Sequence, residues 1–335
     1  MLLEQKCINV YVYGLDTINI NPSDLDTLET KYRSVVRAMQ CLSPSTPTPA
    51  VYLMMAVLPA AAERDIQILR LLGQLAICDR DQQAVSDILE SNLGDEDISF
   101  AGWSGMARRT TSLYGLPDPL ELFQNPWESD RWSQFAKSAV VKYWTTLLQD
   151  SAASYTSLDM LDTSRLNLLS PHPIWTAAGS NPVSVMKATV VTWLLTNTYK
   201  TGARLHKMRK VKSPECILCL APVEDQHHFT LRCPALFTIR SGYLNKFIEL
   251  CPNLVKYITD ERVLLLSLLD PFSPIVPADV RESWTDSDKV YQTSRNYFHD
   301  IHKKREKLVE KTESLQPMRE HDDNTKLIVT LYQFK

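Results

Sequence analysis

Glycine is scarce in this chain. Nine glycines stand against nineteen prolines in 335 residues. That balance disfavours a sheet-rich fold built on tight turns and suits helices separated by proline-marked breaks. Long apolar runs are missing too. The longest, 51-VYLMMAVLPAAA-62, includes Pro59 and falls well short of the ~20 residues a bilayer-spanning helix needs. The start, 1-MLLEQKCINVYVYG-14, is interrupted by Glu4 and Lys6 and lacks a small-residue cleavage site, so no secretory leader is expected. Nor does charge of one sign dominate. Lys and Arg total 36 against 39 Asp and Glu, a net charge of −3, so any attraction to nucleic acid must be local.

Catalytic signatures are absent as well. The chain has no phosphate-cradling glycine loop and no convergent carboxylate set. The run 102-GWSG-105 is one residue short of a nucleophile elbow and follows no strand. Neither an enzyme nor a small-molecule substrate is expected. Cysteine is present but odd in number, seven. Without a leader, this favours a reducing compartment, where clustered cysteines hold metal more often than disulfides. The expectation is an intracellular protein, nuclear or cytoplasmic.

What is there is mostly helical pattern. In 21-NPSDLDTLETKYRSVVRAM-39, Ser23 is placed to cap and Asp26 to complete a capping box, with Leu25, Leu28, Tyr32, Val35, Val36 and Met39 at helical spacing. A second helix from about Pro59 sets Ile66, Leu69, Leu72 and Leu75 on one face and turns Arg64, Asp65 and Arg70 outward. The two can bury their stripes against each other. Long helices follow at 127–155 and 182–197, then 234–250 and a mixed-charge helix at 284–311 whose end frays. His299 and His302, one turn apart on it, read as a solvated face. The fold class expected is mainly α: helical bundle segments, a small CCHC zinc knuckle and a helical tail, with at most a short strand near each end.

The stretch 216-CILCLAPVEDQHHFTLRC-233 carries the sharpest signal. With His228 as ligand the spacing is C-x2-C-x8-H-x4-C. Two residues between Cys216 and Cys219 let both sulfurs turn toward one tetrahedral ion. His228 and Cys233 lie five apart, roughly 140° around an ideal helix, so both face one ion only if the helix breaks between them. Pro234 supplies a reason for that break. His227 is the competing ligand and would need a different loop. The bland alternative is three buried free cysteines and two surface histidines. Four protein ligands make a closed site, so the expected cofactor is one structural Zn2+. Its net charge of about −1 calls for nearby cations.

Just upstream, 199-YKTGARLHKMRKVKS-213 carries Lys200, Arg204, Lys207, Arg209, Lys210 and Lys212 and no acid. Beside a knuckle this is where a phosphate backbone could lie; a solvated basic linker is the plainer reading.

With cluster and flank in hand, the chain resembles the C-terminal part of non-LTR (LINE-type) retrotransposon reverse transcriptases over roughly residues 8 to 250. The stretches 13-YGLDTINI-20, 25-LDTLETKYRSVVRAM-39 and 46-TPTPAVYLMMAVLPAAAERDIQILRLLGQL-75 are similar to the thumb and post-thumb region. Residues 116–158 and 171–199 are similar to the connecting region, and 216-CILCLAPVEDQHHFTLRCP-234 to the zinc-binding knuckle. The resemblance implies four segments: 1–90 thumb-like, 91–180 connecting, 181–250 basic flank and knuckle, and 251–335 a tail. It also implies a grip on template RNA or target DNA. The palm and its aromatic-x-Asp-Asp site are missing, and Asp322-Asp323 lacks the preceding aromatic, so polymerisation is not implied for any residue here. Residues 251–335 show no spaced nuclease carboxylates either. The competing expectations are a zinc-pinned protein-interaction scaffold and an expressed relic with no selected role.

Overall fold

The computed structural model describes residues 13–18, 20–77, 87–88, 91–93 and 102–315. It is 68% helix with no strand among the described residues, so the mainly α expectation holds. The chain ends, where at most a short strand was expected, lie outside them. In chain order the α-helices are α1 (Pro22–Met39), α2 (Thr48–Met55), α3 (Ala60–Ala76), α4 (Gly102–Leu113), α5 (Pro119–Gln124), α6 (Ser129–Ala153) and α7 (Pro173–Thr176). Then come α8 (Pro182–Leu195), α9 (Gly202–Lys207), α10 (Phe237–Leu250), α11 (Glu261–Leu269), α12 (Ala278–Arg281) and α13 (Ser287–Leu315). They gather into two compact units. Among the described residues, one takes those within 1–39, 51–154 and 166–171, the other those within 40–50, 155–165 and 172–335. The units interleave along the chain, whereas the four segments implied by the resemblance run consecutively.

In the first unit the cap of α1 lies two residues earlier than its sequence suggested. Asn21 Oδ1 accepts the Asp24 N–H at 2.8 Å and its amide donates to Asp24 Oδ2 at 2.6 Å. Pro22 then sits at the first helical position, where its missing N–H costs nothing. The apolar run that includes 51–54 forms most of α2, and Ala50 through Met54 are buried; no helix among the described residues is long and apolar enough to cross a membrane. α3 touches α1 as expected but packs far more extensively on α6. The reason is a close approach. Trp132 of α6, 1% exposed, donates its indole N–H to Leu69 O at 2.7 Å. A Cβ on Gly73 would fall 2.2 Å from the Trp132 ring. Asp65, expected outward, is instead buried. It accepts the Tyr114 O–H at 2.7 Å, and Tyr114 accepts the Trp144 indole N–H at 3.0 Å. Burial pushes the Asp65 carboxyl above its usual range, partly offset by Tyr114 and Arg64.

In the second unit α13 is the mixed-charge helix expected from the sequence. It packs on α8 and α10 and buries Val290, Tyr297, Phe298, Ile301 and Arg305. A stripe this apolar makes a long mixed-charge helix a core element, with Arg295 and Arg305 turned inward. His302 is correspondingly not on a solvated face. Its Nδ1 accepts from the Tyr199 O–H at 2.9 Å, and Trp193 meets it edge-on. A second buried polar knot closes α11. His172 caps α7 through Nδ1, which accepts the Ile174 N–H, leaving Nε2 to face Asp270 Oδ2 at 3.2 Å. Arg165 also donates to Asp270.

Candidate metal centre

The site is assembled where the chain leaves α8. Thr201 caps α9, its hydroxyl accepting the Arg204 N–H at 3.3 Å. α9 ends in a left-handed turn at Arg209 (φ 56°), with the Lys210 N–H on Leu205 O at 2.9 Å; this is the helix stop that ordinarily recruits glycine. The following loop folds back on α9. Glu224 N–H donates to Pro214 O at 2.7 Å and Ala203 N–H to Glu224 O at 3.0 Å. Gly202 permits the approach, since a Cβ there would lie 2.9 Å from the Pro214 and Glu215 carbonyls. Within the loop, Cys216 N–H donates to Ala221 O at 2.9 Å and Leu220 N–H to Cys216 O at 2.8 Å. Cys216 and Cys219 are thereby turned to one side.

The other two ligands come from a wide turn rather than a broken helix. Residues His228–Arg232 form a π-helical turn, and the Cys233 N–H reaches His228 O at 2.7 Å. An i→i+5 bond carries position 233 round to position 228, which the ordinary helical pitch does not. Cys233 then leaves the helix at ψ 119° and Pro234 starts the next turn, as its effect on the preceding residue demands. His227 precedes the turn and is not among the converging donors.

One donor atom from each of Cys216, Cys219, His228 and Cys233 lies within 4.8 Å of every other. Cys216 and Cys233 sulfurs are 3.9 Å apart and Cys219 Sγ is 3.3 Å from His228 Nε2. No disulfide joins them; all three are free thiols. Cys216, Cys233 and His228 are buried and Cys219 is partly so. Burial lowers the His228 pKa, keeping the imidazole in the neutral form that can bind a metal. The hydrogen bond between Cys216 and Cys233 raises the first thiol, with burial adding to it, and lowers the second. Burial likewise raises Cys219. Three thiols and an imidazole converging at this range can hold one metal ion, with no further position contributed by water or substrate required.

A second layer escaped the sequence. Glu224, 2% exposed, accepts from Arg305 Nε and Nη2 at 2.8 Å each and from the Gly202 N–H at 2.7 Å. The Oε1 that accepts from Arg305 Nε also lies 3.8 Å from Cys216 Sγ. Arg305 also lies over the Phe229 ring, and Phe229 stacks on Tyr199 at 4.5 Å. The knuckle is therefore clamped to α13 by a bidentate ion pair between residues 81 apart. One signal was legible: Arg305 continues the i, i+4 stripe of Tyr297 and Ile301, where a solvated charge does not belong. On the opposite side Arg240, also buried, donates to Cys233 O at 3.0 Å. It supplies a cation beside the thiol cluster.

The basic flank divides. Arg204 is half-buried, donating to Asn197 O and, at 2.9 Å, to Ser45 Oγ; burial lowers its pKa. Lys200 is half-buried too, its pKa lowered by burial and by Lys210. Lys207, Arg209 and Lys212 are exposed, and Lys210 is intermediate. The six cations expected to form one strip are thus two that are half-buried and four that run from the end of α9 into the turn before the knuckle. No family model, no curated protein and no solved structure matches the chain.

Proposed function

We propose that this chain is a non-catalytic, zinc-stapled nucleic-acid-binding protein that acts inside the cell, akin to the C-terminal part of non-LTR reverse transcriptases. The observation that carries this reading is a closed Cys3His donor set directly behind an exposed cationic turn. Zinc is the ion we assign. A tetrahedral ion with zinc–sulfur bonds of about 2.3 Å has edges of about 3.8 Å, against 3.9 Å between Cys216 and Cys233 sulfurs. Soft thiolates with one imidazole select zinc over harder cations. Bound there, zinc supplies no chemistry; it pins the turn of Lys207, Arg209, Lys210 and Lys212 so that it meets RNA or DNA phosphates.

Arg209 supports the reading from the backbone side. A left-handed residue at a helix stop favours glycine, yet a long cation is held there. Arg209→Gly is expected to stabilise the fold by up to ~1 kcal/mol while weakening RNA binding. The test of the whole reading is zinc stoichiometry on the reduced protein together with a salt series. Four phosphate contacts on a single strand give a log–log slope of about −3. Absence of metal, or a slope near zero, overturns it.

One observation favours a protein-interaction scaffold instead. Leu220, 77% exposed, and Val223, 48% exposed, project from the knuckle loop, where an apolar partner could cover them. If Leu220→Ser abolishes capture of a protein partner and the salt slope is flat, the scaffold reading replaces ours.

A further inference from the structure

A groove of about 440 Å³ runs between α10 and α13. Lys246 on one wall and Lys303, Lys304 and Lys307 on the other line it, together with Tyr243 and Asp300. In a chain whose net charge is −3, this is a second concentration of positive charge, remote in sequence from the flank at 200–212. All four lysines are exposed. Lys303 lies 3.4 Å from Glu306, and Lys246 sits over the Tyr243 ring at 4.7 Å. Lys304 and Lys307 have no ion-pair partner among the described residues. The single acid in the lining is occupied: Asp300 Oδ2 accepts the Tyr243 O–H at 2.5 Å, and Oδ1 is 3.4 Å from His299 Nδ1. Burial, with Asp300 next, raises the Tyr243 pKa, so the phenol stays protonated and keeps donating.

We infer that this groove binds the phosphodiester backbone of a single-stranded nucleic acid. The inference rests on the nucleic-acid reading above and extends it to a second surface. Like charges are costly to gather unless something anionic answers them. Lysines on flexible stems, without a fork of arginines or a nest of backbone N–H groups, suit a run of phosphates better than one compact polyphosphate. Lys303 and Lys307 lie ~6 Å apart along the helix axis, so each can meet a different phosphate of one strand. The wall bearing Lys246 is the helix that leaves the metal centre directly after Cys233 and Pro234. Ordering the knuckle therefore also orders one side of the groove.

The test uses the full, zinc-loaded chain and a labelled single-stranded RNA oligonucleotide across a KCl series. Variant K246Q/K303Q/K304Q/K307Q is compared with K207Q/R209Q/K210Q/K212Q, and lysine acetylation footprints are read by mass spectrometry. The groove variant is expected to flatten the log–log slope by about 3, at ~0.7 per lost contact, and RNA is expected to protect its four lysines in the native protein. Should the groove variant keep the native slope, and the four groove lysines of the native protein go unprotected by RNA, while the flank variant loses affinity, the groove is overturned and the proposed function stands. Absence of RNA binding by the native chain at every salt concentration overturns both. Protection by poly-glutamate but not by RNA assigns the groove to an acidic protein partner and overturns the inference.

Discussion

The pairing of α3 with α6 and the knuckle clamped on α13 solve the same problem by different physics. The first joins two long helices through shape: Gly73 leaves a notch and Trp132 fills it, its indole N–H satisfied by Leu69 O. The second must fix a short, polar, turn-rich segment between α9 and α10. It uses four side chains able to share a metal ion, a buried bidentate ion pair and an arginine on a carbonyl. Dense apolar packing is insensitive to metal and pH. A segment held by donors and charges is sensitive to both.

Chelation should separate the two most sharply. Removing the metal, or Cys219→Ser, is expected to unfold residues around 200–236, because binding at such a site is folding free energy of about 10 kcal/mol or more. Amide exchange should rise there by orders of magnitude while α3 and α6 keep their protection. Equal loss in both regions would erase the distinction. Next in size is the clamp. Arg305→Met leaves Glu224 buried and unpaired and should cost about 3–5 kcal/mol in urea melts. The double variant E224Q/R305M should recover much of that, and its failure to do so would mean the pair holds more than its own charges. On the apolar side, Gly73→Ala should cost about 1–3 kcal/mol by overpacking Trp132, with metal content unchanged.

The last effect is one of pH. Burial, with Lys303 and Arg305 next, pushes His302 down to about 3 from its ordinary 6.5. A histidine held neutral when folded is protonated more readily when unfolded. Stability should therefore be full above about 6.5 and fall as pH drops toward 3, by at most ~1.4 kcal/mol per unit. His302→Gln should flatten that slope under saturating zinc, as read by urea melts at several pH values. Asp270 acts in a lower window. Burial would raise its carboxyl, but His172 and Arg165 outweigh this and hold it below its usual 3.8. Its contribution is present above about 3.8 and fades only beneath.

Much of the helical content was legible because its causes are local. Apolar spacing marked α1, α3, α6 and α10, a proline-marked turn announced α8, and mixed charge marked α13. The ligand spacing identified Cys216, Cys219, His228 and Cys233 before any coordinates. Errors arose where two local options were near in energy: Ser23 and Asn21 can both cap, and only the neighbouring Pro22 and Asp24 favour the latter. They also arose where a charged side chain found a distant partner. Asp65 is buried with Tyr114 reaching it across 49 residues, and His302 is met by Tyr199 across 103.

By itself the sequence determined that this chain is helical, where its main helices run, and which four side chains can share an ion. Those follow from backbone propensity and from spacings of a few residues. Only the tertiary structure decided that a π turn carries Cys233 round to His228, that Arg305 closes on Glu224, and which of the basic residues face solvent. The last two depend on the burial of polar groups by segments far away in the chain, and that energy exists only once the parts have met.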